Sequence, residues 1–303
     1  MLIRHEEKED VSLNKELRNR VLQRLEELEE LPTLPAVVMK VLDLAYKENV
    51  SVRDLKQVII TDPPLSAKVL RVANSVYYGR ATKTKSLDQA LVTIGLDMLV
   101  TICTSMGVIQ SFDAWEERKL HRKDIWAHAL ATSFLAKSLE MRKAMIDNNG
   151  PDIFVAGLLH NIGWIIIDQY FGEELDAILK TADEVEEWTL EYERDILGMD
   201  HAEIGYLFLK KWGLPEEVAE VVRYHHDVDY DGKFAPQAAL IGLSSFISPY
   251  PFKLDVPLKR LSNQIPHRLS HTEGEQLIGE IKQRYAPHIS QAYAMTDRLM
   301  DWM

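Results

Sequence analysis

The chain has 303 residues, 46% of them hydrophobic, which suffices for a sizeable core in one large domain or two small ones and excludes a disordered tail. Its 47 acidic against 35 basic side chains leave a net charge of −12, which opposes broad binding to nucleic acid or anionic lipid. Cys103 is the only cysteine, so an intrachain disulfide and a Cys-based zinc site are excluded. With no apolar signal segment between Met1 and Asp10 and no apolar run of membrane-spanning length, a soluble, cytoplasmic protein is expected.

Apolar spacing predicts helix along nearly the whole chain and strand nowhere. Arg18 to Glu30 reads as an exposed helix of mixed charge. Leu34, Val37, Val38, Val41, Leu44 and Ala45 then recur at helical spacing, and Ser51 with Asp54 marks the start of a helix carrying Leu55, Val58 and Ile59. Asp62 caps the next helix, with Pro63 in its first turn and Leu65, Val69, Leu70 and Val72 on its apolar face. Asn74 and Gly79 bracket its end, and Ser75, Tyr77 and Tyr78 read as aromatic and polar packing under a turn. Ser86 with Gln89 predicts a capping box before Leu87, Ala90, Leu91 and Ile94, and Gly95 separates that helix from the apolar stretch Leu96 to Val108.

The polar, aromatic segment Asp113 to Lys123 is the best internal boundary. Beyond it the predicted helices break at Asn148-Asn149-Gly150-Pro151, Gly198, Gly213-Leu214-Pro215 and Asp231-Gly232. Asp200 with Glu203 predicts another capping box, which puts His201 in the first turn of its helix, and the acidic run Asp183 to Glu187 reads as a solvated face. Four prolines between Pro249 and Pro266 predict an irregular arm, after which Thr272 with Glu275 restarts helix. The expected division is an N-terminal helical extension over 1–23, an N-terminal lobe over 24–113, a second lobe over 114–250, and an arm with C-terminal helices over 251–303.

Five of the ten histidines fall in four separate apolar helices of the expected second lobe: His128, His160, His201 and the adjacent pair His225-His226. Asp124 lies four residues before His128, so both share one helix face. Each has a plainer account taken alone. A lone histidine on an apolar face is ordinarily a hydrogen-bonded core residue, Asp124 a favourable first-turn acid, Asn161 a turn or cap residue, and His226 with Asp227 a surface pair. Together the residue types suit one or two transition-metal ions of the iron, manganese, nickel or zinc kind.

The blocks Leu31-Pro32-Thr33-Leu34-Pro35, Asp62 to Ser75, Ala156-Gly157-Leu158-Leu159-His160-Asn161-Ile162-Gly163 and Trp212-Gly213-Leu214-Pro215 occur in order. Over roughly residues 24–225 the chain thereby resembles the HDOD family, the HD-related output domains of bacterial signalling proteins. The resemblance implies an all-α, two-lobed fold related to the HD and HD-GYP phosphohydrolases, and a part in signal transduction. It also implies a degenerate ligand set of Asp124, His128, His160, Asn161, His201, His225 and His226. Asn161 stands where HD enzymes carry the acid of the His-Asp pair, Trp164 where a lysine is expected, and Ser245 where HD-GYP proteins carry a terminal acid. The loop Asp231 to Pro236 has Phe234 and Ala235 at the distinctive GYP positions.

Three readings follow. The leading one is a non-catalytic regulatory module acting through helix contacts with a signalling partner, with no receiver, cyclase or DNA-binding motif in the chain to supply input or output. The second is a metal-dependent phosphohydrolase, and the third a sensor of a small nucleotide or of the metal itself. None of them expects a nucleic-acid or membrane partner.

Overall fold

The computed structural model of the chain describes residues 3–28, 35–45, 51–74, 84–112, 119–140, 152–185 and 190–248, together with Pro32, Gln283 and Ala286. Among them every regular element is an α-helix, and the all-α expectation holds. The expected features at 75–79, 148–151, 249–266 and 272–275, and most of the boundary segment 113–123, lie outside the described residues.

The helices form two compact units. The smaller, Pro32–Trp115 with Ala294–Met303, holds α2 (Ala36–Ala45), α3 (Val52–Ile59), α4 (Pro63–Ala73), α5 (Leu87–Ile94) and α6 (Leu96–Ser111). Its local chemistry follows the sequence closely. Ser51 and Asp54 exchange side-chain and backbone bonds in a complete capping box, and Asp62 accepts the Leu65 N–H with Pro63 in the first turn. Such caps contribute about 1 kcal/mol each. Asn74 does more than end α4. Its amide donates to the carbonyls of Leu70 and Thr84 and accepts the Thr84 N–H at 2.6 Å, which fastens the returning chain to the helix end. The core behind these caps includes Val41, Leu55, Ile59, Val69, Leu99 and Cys103, all wholly buried.

The larger unit, Met1–Leu31 with Glu116–Tyr293, holds α1 (Ile3–Glu26), α7 (Arg122–Glu140), α8 (Ile153–Leu159), α9 (Ile162–Tyr170), α10 (Gly172–Val185), α11 (Leu190–Leu197), α12 (His201–Lys211), α13 (Glu216–Tyr224) and α14 (Ala235–Ile247). Helix α1, read from the sequence as an extension, packs against α11 and belongs to this unit. The central pairings are α7 with α8 and α14, and α12 with α9 and α13. The candidate histidines lie within α7 and α12 and at the ends of α8 and α13.

Two sequence readings need correction here. The stretch Ile153–Tyr170, turned at His160 and Asn161 between α8 and α9, is long and apolar enough to cross a membrane, contrary to the reading that no run is; 89% of it is buried inside the fold. Two of the expected capping boxes are half boxes. Ser86 accepts the Gln89 N–H, but the Gln89 amide bonds the Lys85 N–H instead of returning to Ser86. Asp200 accepts the Glu203 N–H, while the Glu203 carboxylate turns to Arg18 and Arg223, because charge-assisted bonds to two guanidiniums outweigh one neutral N–H.

Candidate metal site

His201 opens α12 directly after its cap residue Asp200, and a buried acid fixes its ring. Glu193 of α11, with no exposed surface, accepts the His201 backbone N–H at 2.6 Å and the Nδ1–H at 2.9 and 3.0 Å. That bond leaves the Nε2 lone pair as the ligand-capable position. His225 ends α13, and its Nδ1–H donates to the Val222 carbonyl at 2.6 Å. Its Nε2 is buried and has no hydrogen-bond partner. His226 follows, half-buried, with Nε2 3.2 Å from Nε2 of His201.

One ligand nitrogen from each of His201, His225 and His226 lies within 4.8 Å of the others. Two nitrogens on one tetrahedral ion at about 2.05 Å sit roughly 3.3 Å apart, close to the 3.2 Å between the Nε2 atoms of His201 and His226. The orphaned nitrogen of His225 completes a donor set that fits a single borderline ion. Trp164 stacks on His201 with ring centroids 4.9 Å apart and closes one side of the site with indole.

Burial holds the His225 and His226 imidazoles neutral, as ligands must be. It pushes His225 down to about 3, helped by the neighbouring charge of His201. His226 is held well below the usual histidine range by burial, then by His225 and His201.

Glycines set the approach of the helices. A Cβ on Gly163 of α9 would stand 1.9 Å from the His201 carbonyl oxygen, and one on Gly242 of α14 would stand 2.2 Å from that of His225. Both ligand backbones therefore rest on hydrogen atoms of glycine.

The second pair of histidines is engaged differently. His160 donates Nδ1–H to the Gly157 carbonyl at 2.6 Å, so its Nε2 accepts the Ser245 hydroxyl proton at 3.1 Å. The Ser245 oxygen in turn accepts Nε2–H of His128 at 3.0 Å. Ser245 thus bridges two rings whose centroids are 5.2 Å apart. Burial brings His128 down to about 3, with the charge of His225 next, and holds His160 well below its ordinary value. The His160 ring also meets His225 edge-on at 5.1 Å, so the five imidazoles form one continuous cluster.

Not every candidate joins it. Asp124 is half-buried in the first turn of α7 and is not among the three residues of the ion-sized grouping. Asn161 is the cap residue of α9, its side chain makes no capping bond, and it too lies outside the grouping. Glu193 was missed by the sequence reading. Its signal was available: Leu190, Glu193 and Leu197 share one helix face, so an acid sits in a core-facing position.

The chain belongs to the HDOD domain family, whose model matches residues 31–228. It is 30% identical over 188 residues to an uncharacterized protein of Treponema pallidum (strain Nichols), and the match spans 60% of this chain but only 35% of that relative. Among solved structures it resembles an HDOD domain protein of unknown function from Geobacter sulfurreducens, with a TM-score of 0.71 and 23% identity over 96% of this chain and 98% of that one. A protein of Marinobacter aquaeolei VT8, provisionally named for signal transduction, gives 0.69 and 20% over 94% and 66%. One of Shewanella amazonensis SB2B, provisionally named a phosphohydrolase, gives 0.67 and 22% over 92% and 97%. At these identities the likenesses establish the fold.

Proposed function

We propose that this HDOD protein is a regulatory module of signal transduction that works through contacts with a protein partner and retains, in place of a hydrolytic centre, a site for one metal ion on His201, His225 and His226. The observation that carries this reading is the Ser245 hydroxyl between His128 and His160, at 3.0 and 3.1 Å. Resemblance to HD-GYP proteins puts an acid at that position. A hydroxyl cannot supply the negative charge that would hold a second ion beside the first, and Asn161 offers only a neutral amide where the other acid belongs. When bound, a single divalent ion supplies Lewis acidity or structural charge; the protein residues orient it through Glu193 and screen it with Trp164.

The three-histidine grouping also supports a second reading, in which the metal is itself the signal, and it keeps a metal-dependent phosphohydrolase as the alternative. One experiment separates the enzyme from both regulatory readings. The purified chain and its His201→Ala and His160→Ala variants are compared for metal content and for hydrolysis of a generic phosphodiester and a cyclic dinucleotide with manganese, iron and nickel. The expected result is at most one ion per chain, lost in His201→Ala, and background turnover throughout. Robust turnover abolished by His160→Ala would overturn the regulatory reading in favour of the enzyme.

A further inference from the structure

The three ligands of the site sit at the facing ends of two helices: His201 in the first turn of α12, His225 and His226 at the end of α13. Their mutual distances depend on how those helix ends are held. One charged clip ties them together. Glu203, two residues after His201, accepts a hydrogen bond at 2.9 Å from Arg223, two residues before His225. Arg223 is steadied in turn by the rings of Tyr206 and Tyr224, with its guanidinium carbon 4.8 and 5.3 Å from their centroids.

The clip is closed from far along the chain. Arg18 of α1 engages both Glu203 oxygens in a fork, at 2.7 and 2.6 Å. The guanidinium holds the Glu203 carboxyl below its usual range despite partial burial, so the acid is charged when it binds. Two further contacts seat α1 against the ligand helices. A Cβ on Gly198, in the turn between the Glu193 helix and the His201 helix, would lie 2.4 Å from the Arg18 backbone nitrogen, so helix backbone rests directly on that turn. Lys211, in the last turn of α12, donates to the carbonyls of Leu25, Glu26 and Leu28 at 2.8, 2.8 and 2.9 Å and thereby satisfies the C-terminal end of α1. Arg18 and Glu26 are about two turns apart on α1, as Glu203 and Lys211 are on α12, so long side chains bridge the two helices at both ends of a matching span.

We infer that Arg18 is a positioning residue for the three-histidine site: docked α1 locks Glu203 between α12 and α13, and the geometry at His201, His225 and His226 depends on that lock. The inference rests on the metal-binding reading above. Coupling of this kind is reciprocal, so an ion at the histidines also tightens α1.

Cobalt(II) tests it, because its visible absorption reports coordination geometry as well as occupancy. The 303-residue wild-type chain, Arg18→Leu, Arg18→Lys and Leu175→Ala are titrated and compared. Leu175 is a wholly buried residue of α10 outside the clip, so its truncation lowers Tm without touching Glu203. Arg18→Leu is expected to weaken cobalt affinity about ten-fold and to alter the band shape, with Arg18→Lys in between because an ammonium cannot make the fork. Leu175→Ala is expected to keep both affinity and spectrum. Hydrogen exchange of α1 amides in residues 14–26 should slow on cobalt binding in wild type and not in Arg18→Leu. Unchanged affinity and spectrum in Arg18→Leu overturn the inference and leave the metal reading standing. Equal effects in Leu175→Ala also overturn it, by reducing the effect to general loosening. Failure of wild type to bind cobalt saturably overturns the metal reading itself, and the inference with it.

Discussion

A serine hydroxyl between two imidazole nitrogens gives one proton and takes one, and this fixes both tautomers of the His128 and His160 pair. Glu193 does the comparable job for His201 with a full charge. Its carboxylate is wholly buried and accepts both the His201 N–H and Nδ1–H, so a ring that rotated or changed tautomer would lose a charge-assisted bond. Partners of this type ordinarily contribute 10- to 100-fold in metal affinity, by estimates of roughly that range. Glu193→Gln preserves size and one acceptor but removes the charge. It is expected to lower cobalt affinity by about ten-fold or more while the far-UV circular dichroism stays helical. Glu193→Ala leaves two buried donors without acceptors and should also cost about 3 kcal/mol in denaturant unfolding. A wild-type affinity in Glu193→Gln would show that the carboxylate serves folding alone.

Helices place these residues only because they approach closely, and glycine decides how closely. An alanine at Gly163 would meet the His201 carbonyl oxygen at 1.9 Å, and neither partner is a flexible side-chain end that can swing aside. Gly163→Ala is therefore expected to destabilise the larger unit by about 3 kcal/mol or more and to weaken metal binding as α12 is pushed away. Gly213 gives the control. Its φ of +78° makes alanine strained, yet nothing lies within 4 Å of the added Cβ, so Gly213→Ala should cost only about 1–2 kcal/mol and leave the site intact. Thermal unfolding with and without cobalt distinguishes the two. The same contrast explains what the sequence made legible. Caps such as Ser51 with Asp54, and Asp62 with Pro63, are interactions over three or four residues, so spacing discloses them. The histidines were visible as polar residues on apolar faces, and their convergence needed the family resemblance. Glu193 was half visible, as an acid at a core-facing position. The Arg18 bond to Glu203 was not, because a side chain that pairs across 185 positions leaves no local pattern in a helix of mixed charge.

At the scale of the whole molecule, the cluster ties stability to pH. His128, His160, His225 and His226 are all held below the ordinary histidine value, with His128 and His225 at about 3, first by burial and then by the charge of neighbouring histidines. In the unfolded chain the same rings titrate near 6.5. Between those values the unfolded state binds more protons than the folded one, so stability falls as pH falls; above about 6.5 neither state is protonated and the effect vanishes. Each ring adds about 1.4 kcal/mol per pH unit to the slope within that window. The metal-free chain is therefore expected to be stable at pH 7–8 and to lose stability steeply from about pH 6 downward, before its carboxylates titrate. Chemical denaturation at half-unit pH steps measures the slope. His128→Asn removes one titrating ring outside the three-ligand set, so the slope near pH 5 should drop by about 1.4 kcal/mol per pH unit if that ring is neutral in the fold. An unchanged slope would mean that His128 is already protonated in the folded state, which the hydrogen bond its Nε2–H donates to Ser245 permits but its burial opposes.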